Sequence, residues 1–322
     1  MLEKKKKSVG PNRWSFLLTS LRALSTAITA LSSPNHPSSR LLVLRESPQT
    51  LFPKLFSSSS SWRPTHLVYE RDTDAYARDR DAAVDALARA AGVEVVTRTG
   101  RTLFDPDVLV ERGNGGKPTM SLAQVRRAVE RAGLVVPRAL PVPGWLPPPG
   151  PGLGEVGLEQ EVSGSERREG EGEEKTYAFG LAGPKGDFGV PEMGELGFAD
   201  GAATTGIEGG EARALEALRR VLDDVEYVAT FEKPAMAPTE WDPPATTVLS
   251  PHLHFGTLGV REFWWGVKGA VERYEREKGK GKASGMPVNL EGQLLFRVSG
   301  RCFLTPPGLS YSQTRGKTAT TY

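Results

Sequence analysis

Only one cysteine, Cys302, occurs in the 322 residues. That excludes an intrachain disulfide and argues against a cysteine-based zinc site. No apolar run approaches the roughly 20 residues a bilayer-crossing helix needs, so no membrane span and no membrane partner are expected. Net charge is nearly absent: 41 Lys and Arg against 39 Asp and Glu leave +2. Any nucleic-acid contact therefore has to come from a local basic patch and not from a global field. No GxGxxG motif follows the strand-like runs at 41–44, 66–70 and 93–98, so NAD binding is not inferred from the strand pattern below. Acidic residues are missing from Lys4 to Arg45, where Lys4 to Lys7, Arg13, Arg22, Arg40 and Arg45 are basic and serine is frequent. This is the composition of an organelle transit peptide. The competing reading is an amphipathic helix, because Trp14, Leu17, Leu18, Leu21, Leu24 and Ile28 recur at helical spacing.

What is present in excess is glycine and proline, 36 and 25 residues, in a chain long enough for two domains with separate cores. Residues 41–44 (LLVL) form a short apolar run expected of a buried parallel strand, and SPQTLFPKLF after it offers a Ser N-cap and a first-turn proline. HLVYE at 66–70 and VEVVTR at 93–98 read as strands. Between them lies a helix opened by Asp72 and Asp74, lined by Ala82, Val84, Leu87, Ala88 and Ala91 and stopped by Gly92. Strand and helix alternate, which predicts a parallel sheet covered by helices. Residues 99–120 read as loop, with a turn at Asn114 to Gly116 and a short helix start at Asp105-Pro106. SLAQVRRAVERAG follows as a helix capped by Ser121 and ended by Gly133. From 137 to 174 the chain turns rich in Pro, Gly and Glu and is expected to be loop-like. Ala214, Leu215, Leu218, Val221, Leu222 and Val225 then stripe a further helix.

The most informative stretch is FEKPAMAPTEWDPPATTVLSPHLHFG, 231–256. Pro243 and Pro244 hold the approach to Thr246 in an extended loop. Ser250-Pro251 reads as N-cap and first helical residue. Hydroxyls gathered before a helix start suit a phosphate, although a well-capped helix accounts for the same residues. His252 and His254, two apart, do not share a helix face and no carboxylate pattern completes a metal site, so packing or exposure is expected of them. Trp264 and Trp265 cannot both face the core, and an aromatic packing role outweighs an electron relay or base stack. The basic run RYEREKGKGK at 273–282 reads as a solvated helix end, with DNA phosphate contact as the weaker alternative.

FEKP, TTVLSPHLHFG, GTLGVREFWWGV and EGQLLFR occur in an order and spacing that resemble the photolyase and cryptochrome flavoproteins, within them the (6-4) photolyase and animal-type cryptochrome branch. YERDTDAYARDRDAAV and PEMGELGF resemble further family segments, and VGPNRWSFLLTSLRAL its first long helix, which favours the helix reading of the N-terminus over a cleaved leader. The resemblance implies an α/β fold: a Rossmann-like parallel sheet domain at 9–142 with its first strand missing, a connector at 143–205, and the first helices of an all-helical FAD-binding domain at 206–297. Residues 298–322 do not resemble the family, and Phe296 stands where Trp is usual. The resemblance further implies Thr246, Thr247, Ser250 and Gln293 as FAD contacts, an antenna chromophore in the sheet domain, and UV-damaged DNA or signalling proteins as partners in the nucleus or cytoplasm. The expected function is FAD-dependent, blue-light-driven repair of pyrimidine photoproducts, inactive in this chain as written. A cryptochrome photoreceptor and a non-enzymatic α/β interaction module are the alternatives. No catalytic residue is assigned, since the family's (6-4) histidine pair lies in a later region. Both chain ends are expected to reflect a truncated or mis-spliced reading of the gene, with a short isoform as the alternative.

Overall fold

The computed structural model describes residues 9–32, 41–44, 47–57, 64–72, 74–119, 121–147, 176–177, 180–181, 189–231 and 246–279. Residues 1–8, the connector stretch 155–174, the end of the basic run, Gln293 and the tail 298–322 lie outside them. The chain divides into two units. The sheet unit takes Thr65–Leu140, Leu218–Val248 and Gly259–Tyr322; the other, here the α1 unit, takes Met1–Pro64, Pro141–Ala217 and Leu249–Leu258.

In the sheet unit, β1 (His66–Glu70) and β2 (Glu94–Arg98) pair in parallel, Leu67 opposite Val95 and Tyr69 opposite Thr97. The crossover is helix α3 (Ala75–Ala90), where the carboxylate of Asp74 accepts the amide of Tyr76 at 3.1 Å as N-cap. Gly92, at φ 74°, takes the left-handed residue that stops it. The strands, the cap and the stop are as the sequence predicts, and the buried stripe holds at Val84 and Ala88 but not at Ala82 and Ala91. The helix buries Ala77, Asp81, Val84 and Ala88, spaced as one face, while Ala82 and Ala91 are exposed. One carboxylate oxygen of Asp81 takes two donors from the Arg80 guanidinium, at 2.9 and 2.6 Å, while the other is buried without a hydrogen-bond partner. Tyr69, on the inner face of β1, donates its hydroxyl to Asp85 of α3 at 2.7 Å. Burial first, then that hydrogen bond, raises its phenol well above the ordinary value.

Residues 99–119 bear out the expected helix start at Asp105-Pro106 and the turn at Asn114 to Gly116, and the helical part runs further than expected. Asp105 caps a turn, α4 (Pro106–Val108), that runs on as a π-turn over Leu109–Gly113, and Leu103, Phe104 and Leu109 are buried. A Cβ at Gly113 would stand 2.4 Å from the carbonyl oxygen of Ala128, so glycine there lets the turn lie against α5 (Leu122–Arg131). Ser121 caps α5 by accepting the amide of Gln124, and Gly133 at φ 62° ends it, both as predicted. The long helix α9 (Val260–Lys278) buries Val260, Phe263, Val267, Ala270, Val271 and Tyr274, a stripe at helical spacing. It packs on α7 (Val225–Ala229) and admits Leu222, the end of α6 (Glu211–Asp223), over Gly266, where a Cβ would meet the leucine at 2.5 Å. In α6 the expected stripe holds at Ala214 and Leu218 but not at Leu215, which is 42% exposed.

In the α1 unit, α1 (Pro11–Ala30) starts with proline at its first turn and buries Phe16, Leu18 and Ser20. The chain ahead of α6 lies directly on it: Gly209 donates its amide to Thr19 Oγ1 at 2.9 Å, and a Cβ there would fall 2.0 Å from Ser20 Oγ. Arg22 reaches Glu192 and the carbonyl of Pro191 in the PEMGELGF turn. Residues 41–44 correct the sequence reading, because they form no strand. Leu42 and Leu44 bury themselves against Leu51 and Leu55 of α2 (Pro48–Leu55), so the apolar run is satisfied by a helix face and not by a ladder. Ser47 caps α2 with Pro48 after it, as expected. A two-residue hairpin, β3 (Thr176–Tyr177) with β4 (Gly180–Leu181), stands apart from the parallel pair.

Candidate functional site

The hydroxyl-bearing segment begins with Thr246, the last exposed residue before the chain tightens. Its Oγ1 accepts the amide of Val248 at 3.4 Å. That bond uses an oxygen lone pair and leaves the hydroxyl proton to donate outward. Thr247 is half-buried. Val248 has φ 54°, the one non-glycine residue with positive φ among the described residues. A β-branched side chain in that region is costly, so its surroundings hold the turn in place.

Leu249, fully buried, is the N-cap of α8 (Ser250–Phe255), and no side chain caps the helix. This corrects the sequence reading, which made Ser250 the cap. Burial of Leu249 decides it: drawing that side chain into the core fixes its backbone at φ -81°, ψ -4° and makes Ser250 the first helical residue. The serine side chain stays exposed. Thr246 and Thr247 belong to the sheet unit and Ser250 to the α1 unit, contiguous in the chain across the boundary after Val248. Gln293 lies outside the described residues.

Helix α8 is anchored by its two histidines. His252 is 2% exposed, its ring edge-on to Phe16 at 5.1 Å and its Nδ1 hydrogen-bonded with Thr257 Oγ1 at 2.9 Å. Burial pushes its imidazole below the ordinary value of 6.5. His254 Nε2 pairs with Nη2 of Arg13 on α1. Since a guanidinium only donates, that nitrogen is the acceptor. Phe255 packs on Phe16 at 5.1 Å under the Arg13 guanidinium, and Gly256 at φ 78° ends the helix. Both histidines therefore pack α8 onto α1. Among the described residues no three His, Cys, Asp or Glu side chains gather as a metal site, and no helix is long and apolar enough to cross a membrane.

Trp265 is half-buried, and its indole nitrogen donates to Pro137 O at 3.0 Å beneath the guanidinium of Arg138. Sequence reasoning left this contact out, because Pro137 and Arg138 sit in a stretch without periodicity and far from Trp265 in the chain. In the basic run, Arg273 spends its charge on the carbonyl of Leu222 at 2.8 Å, and Tyr274 is buried. Arg276 and Lys278 remain exposed, as for a solvated helix end.

The parallel β1–α3–β2 unit and the hydroxyl-bearing entry to α8 occur in a chain that is similar to known proteins along most of its length. The DNA photolyase family model matches residues 1–144. Cryptochrome-1 of Spalax judaei is 33% identical over 291 residues, covering 90% of this chain and 42% of that protein. Cryptochrome-2 of Gallus gallus is 33% identical, covering 90% and 43%. The crystal structure of Synechocystis sp. PCC6803 cryptochrome shares the fold with a TM-score of 0.58 at 18% identity, covering 91% of this chain and 50% of that one. The chain belongs to the photolyase and cryptochrome family. It spans 42% of the length of Spalax judaei cryptochrome-1.

Proposed function

We propose that this chain carries the FAD-phosphate segment of a blue-light-driven DNA photolyase of the (6-4) type, acting on UV pyrimidine photoproducts, and that by itself it is not an active enzyme. The observation that carries the reading is the exposed pair of hydroxyls, Thr246 and Ser250, flanking a strained turn in a chain of this family. The donor set fits a dinucleotide phosphate. Thr246 keeps a proton to donate because its oxygen already accepts from Val248, and Ser250 is exposed because Leu249 takes the cap position. Thr247 and Gln293 complete the set by family resemblance. FAD, when bound, supplies the light-driven electron transfer. The protein's part is to donate hydrogen bonds to the phosphates, with α8 packed on α1 through His252 and Phe255. The same resemblance assigns an antenna chromophore to the sheet domain, damaged DNA as partner, and the nucleus or cytoplasm as location.

A signalling reading stands second, supported by the names of relatives such as the Spalax judaei and Gallus gallus cryptochromes. One experiment tests the proposal and separates the two. The chain is joined in frame to the C-terminal part of Gallus gallus cryptochrome-1 and, separately, of a (6-4) photolyase, then purified with FAD. Light-dependent repair of a (6-4) oligonucleotide is measured without other proteins. Flavin retention that drops in a Thr246→Ala, Thr247→Ala double variant supports the phosphate assignment; retention unchanged by the substitutions refutes it. Flavin retention without repair in the photolyase fusion moves the reading to signalling.

A further inference from the structure

The segment between α5 and the end of the sheet unit's first stretch, residues 134–140, forms neither helix nor strand. Its first amide, of Leu134, bonds to Val129 O at 3.0 Å, and Val136 is buried. Beyond that it runs in the open, with Val135 79% and Leu140 86% exposed. Such a stretch, apolar and outward-facing, has little burial of its own to hold it. Besides Val136, one side chain of α9 holds it. Trp265 donates its indole N–H to Pro137 O at 3.0 Å, and the Arg138 guanidinium carbon lies 3.7 Å from the ring centroid. Lys268, one turn further along α9, places its Nζ 4.9 Å from the same centroid. Neither Arg138 nor Lys268 pairs with a carboxylate among the described residues, so the indole is the counter-group for both cations. Trp265 is itself fixed by α9, whose Phe263 and Val267 are buried on either side in sequence.

We infer that Trp265 is a latch that holds residues 134–140 as a strap on α9. The strap has two points of attachment, the buried Val136 and the stacked Arg138. Only the second can be undone without opening a core. The indole thereby governs whether the part of the strap beyond Val136 lies down or lifts.

Trypsin reads the latch directly, because it cleaves after Arg138 only when that guanidinium leaves the ring and the strap lifts. Cleavage of an opened site tracks the population of the open form. The whole chain is digested under mild conditions, and the rate at the bond after residue 138 is divided by the rate on a free peptide of the same sequence. In Trp265→Ala the normalised rate is expected to rise about tenfold, the loss of one hydrogen bond and a cation–π pair. Arg138→Lys keeps a tryptic site but loses the planar stack, and leaves α9 untouched. It is expected to rise by about threefold to tenfold. Cleavage after Arg112, exposed on the π-turn, serves as the reference for general loosening. A rise confined to position 138 in both variants supports the latch. An unchanged rate in Arg138→Lys, or an equal rise after Arg112 in either variant, overturns it.

Discussion

At the scale of single residues, His252 shows how burial becomes pH dependence. Its imidazole sits against Phe16, and loss of water holds its pKa below the ordinary 6.5. The unfolded chain therefore binds a proton that the folded chain resists, so stability rises with pH. The full contribution is present above about 6.5 and is lost as pH falls through that value toward the folded pKa. Urea midpoints at pH 5.5 and 7.5 should differ in the native chain, and the difference should shrink in His252→Leu. An identical pH difference in the variant would place the titration elsewhere. Gly209 makes the complementary case for steric need. A Cβ there would lie 2.0 Å from Ser20 Oγ and 2.3 Å from Phe16 O, a backbone atom that cannot swing away. Gly209→Ala should cost about 1–3 kcal/mol by forcing α1 and the chain ahead of α6 apart. Gly206→Ala, where a Cβ meets nothing within 4 Å, should cost less than about 0.5 kcal/mol. Equal losses in thermal melts of the two variants would contradict the close approach.

At the scale of elements, Ser121 and Ser250 separate a serine at the N-cap position from one inside the first turn. Ser121 accepts the amide of Gln124, whereas Ser250 is the first residue of α8 and Leu249 holds the N-cap position. Ser121→Ala should therefore lower stability by about 1 kcal/mol. Ser250→Ala should lower it by well under that and act instead on flavin retention in the fused protein. Chemical denaturation checks both, and a Ser250→Ala loss as large as that of Ser121→Ala would restore the serine as a cap. The elements themselves were largely legible in the sequence. Ser47, Asp74 and Ser121 open helices and Gly92 and Gly133 close them, because a cap depends on atoms within a few residues along the chain. Faces were less legible. Ala82 was placed inside and Asp81 was not, since a carboxylate can be buried once Arg80 covers it.

For the whole molecule, family membership and coverage set the expectation. The chain spans 42% of Spalax judaei cryptochrome-1. Small-molecule sites bury most of the ligand surface, about 70–90%. The hydrogen bonds offered by Thr246, Thr247 and Ser250 each net only about 0.5–1.5 kcal/mol when solvent-exposed. The 322-residue chain purified with excess FAD and desalted should thus retain less than about one-tenth of an equivalent by its visible spectrum. The fused protein should retain close to one. A yellow one-to-one complex from the shorter chain would show that the segment and its neighbours suffice.

Local chemistry determined the helix starts and stops, the parallel strand pair and the order of the family's motifs, because each rests on residues that are neighbours in the chain. Tertiary structure decided the rest. Residues 41–44 have the composition of a strand, yet burial on Leu51 and Leu55 satisfies them without a ladder. Ser250 has the composition of a cap, yet the burial of Leu249 moves the helix start by one residue. His252 against Phe16 and Arg138 over Trp265 join residues far apart in sequence. No spacing rule reaches such pairs, since which apolar or aromatic surface a side chain covers depends on the surface the folded chain brings to it.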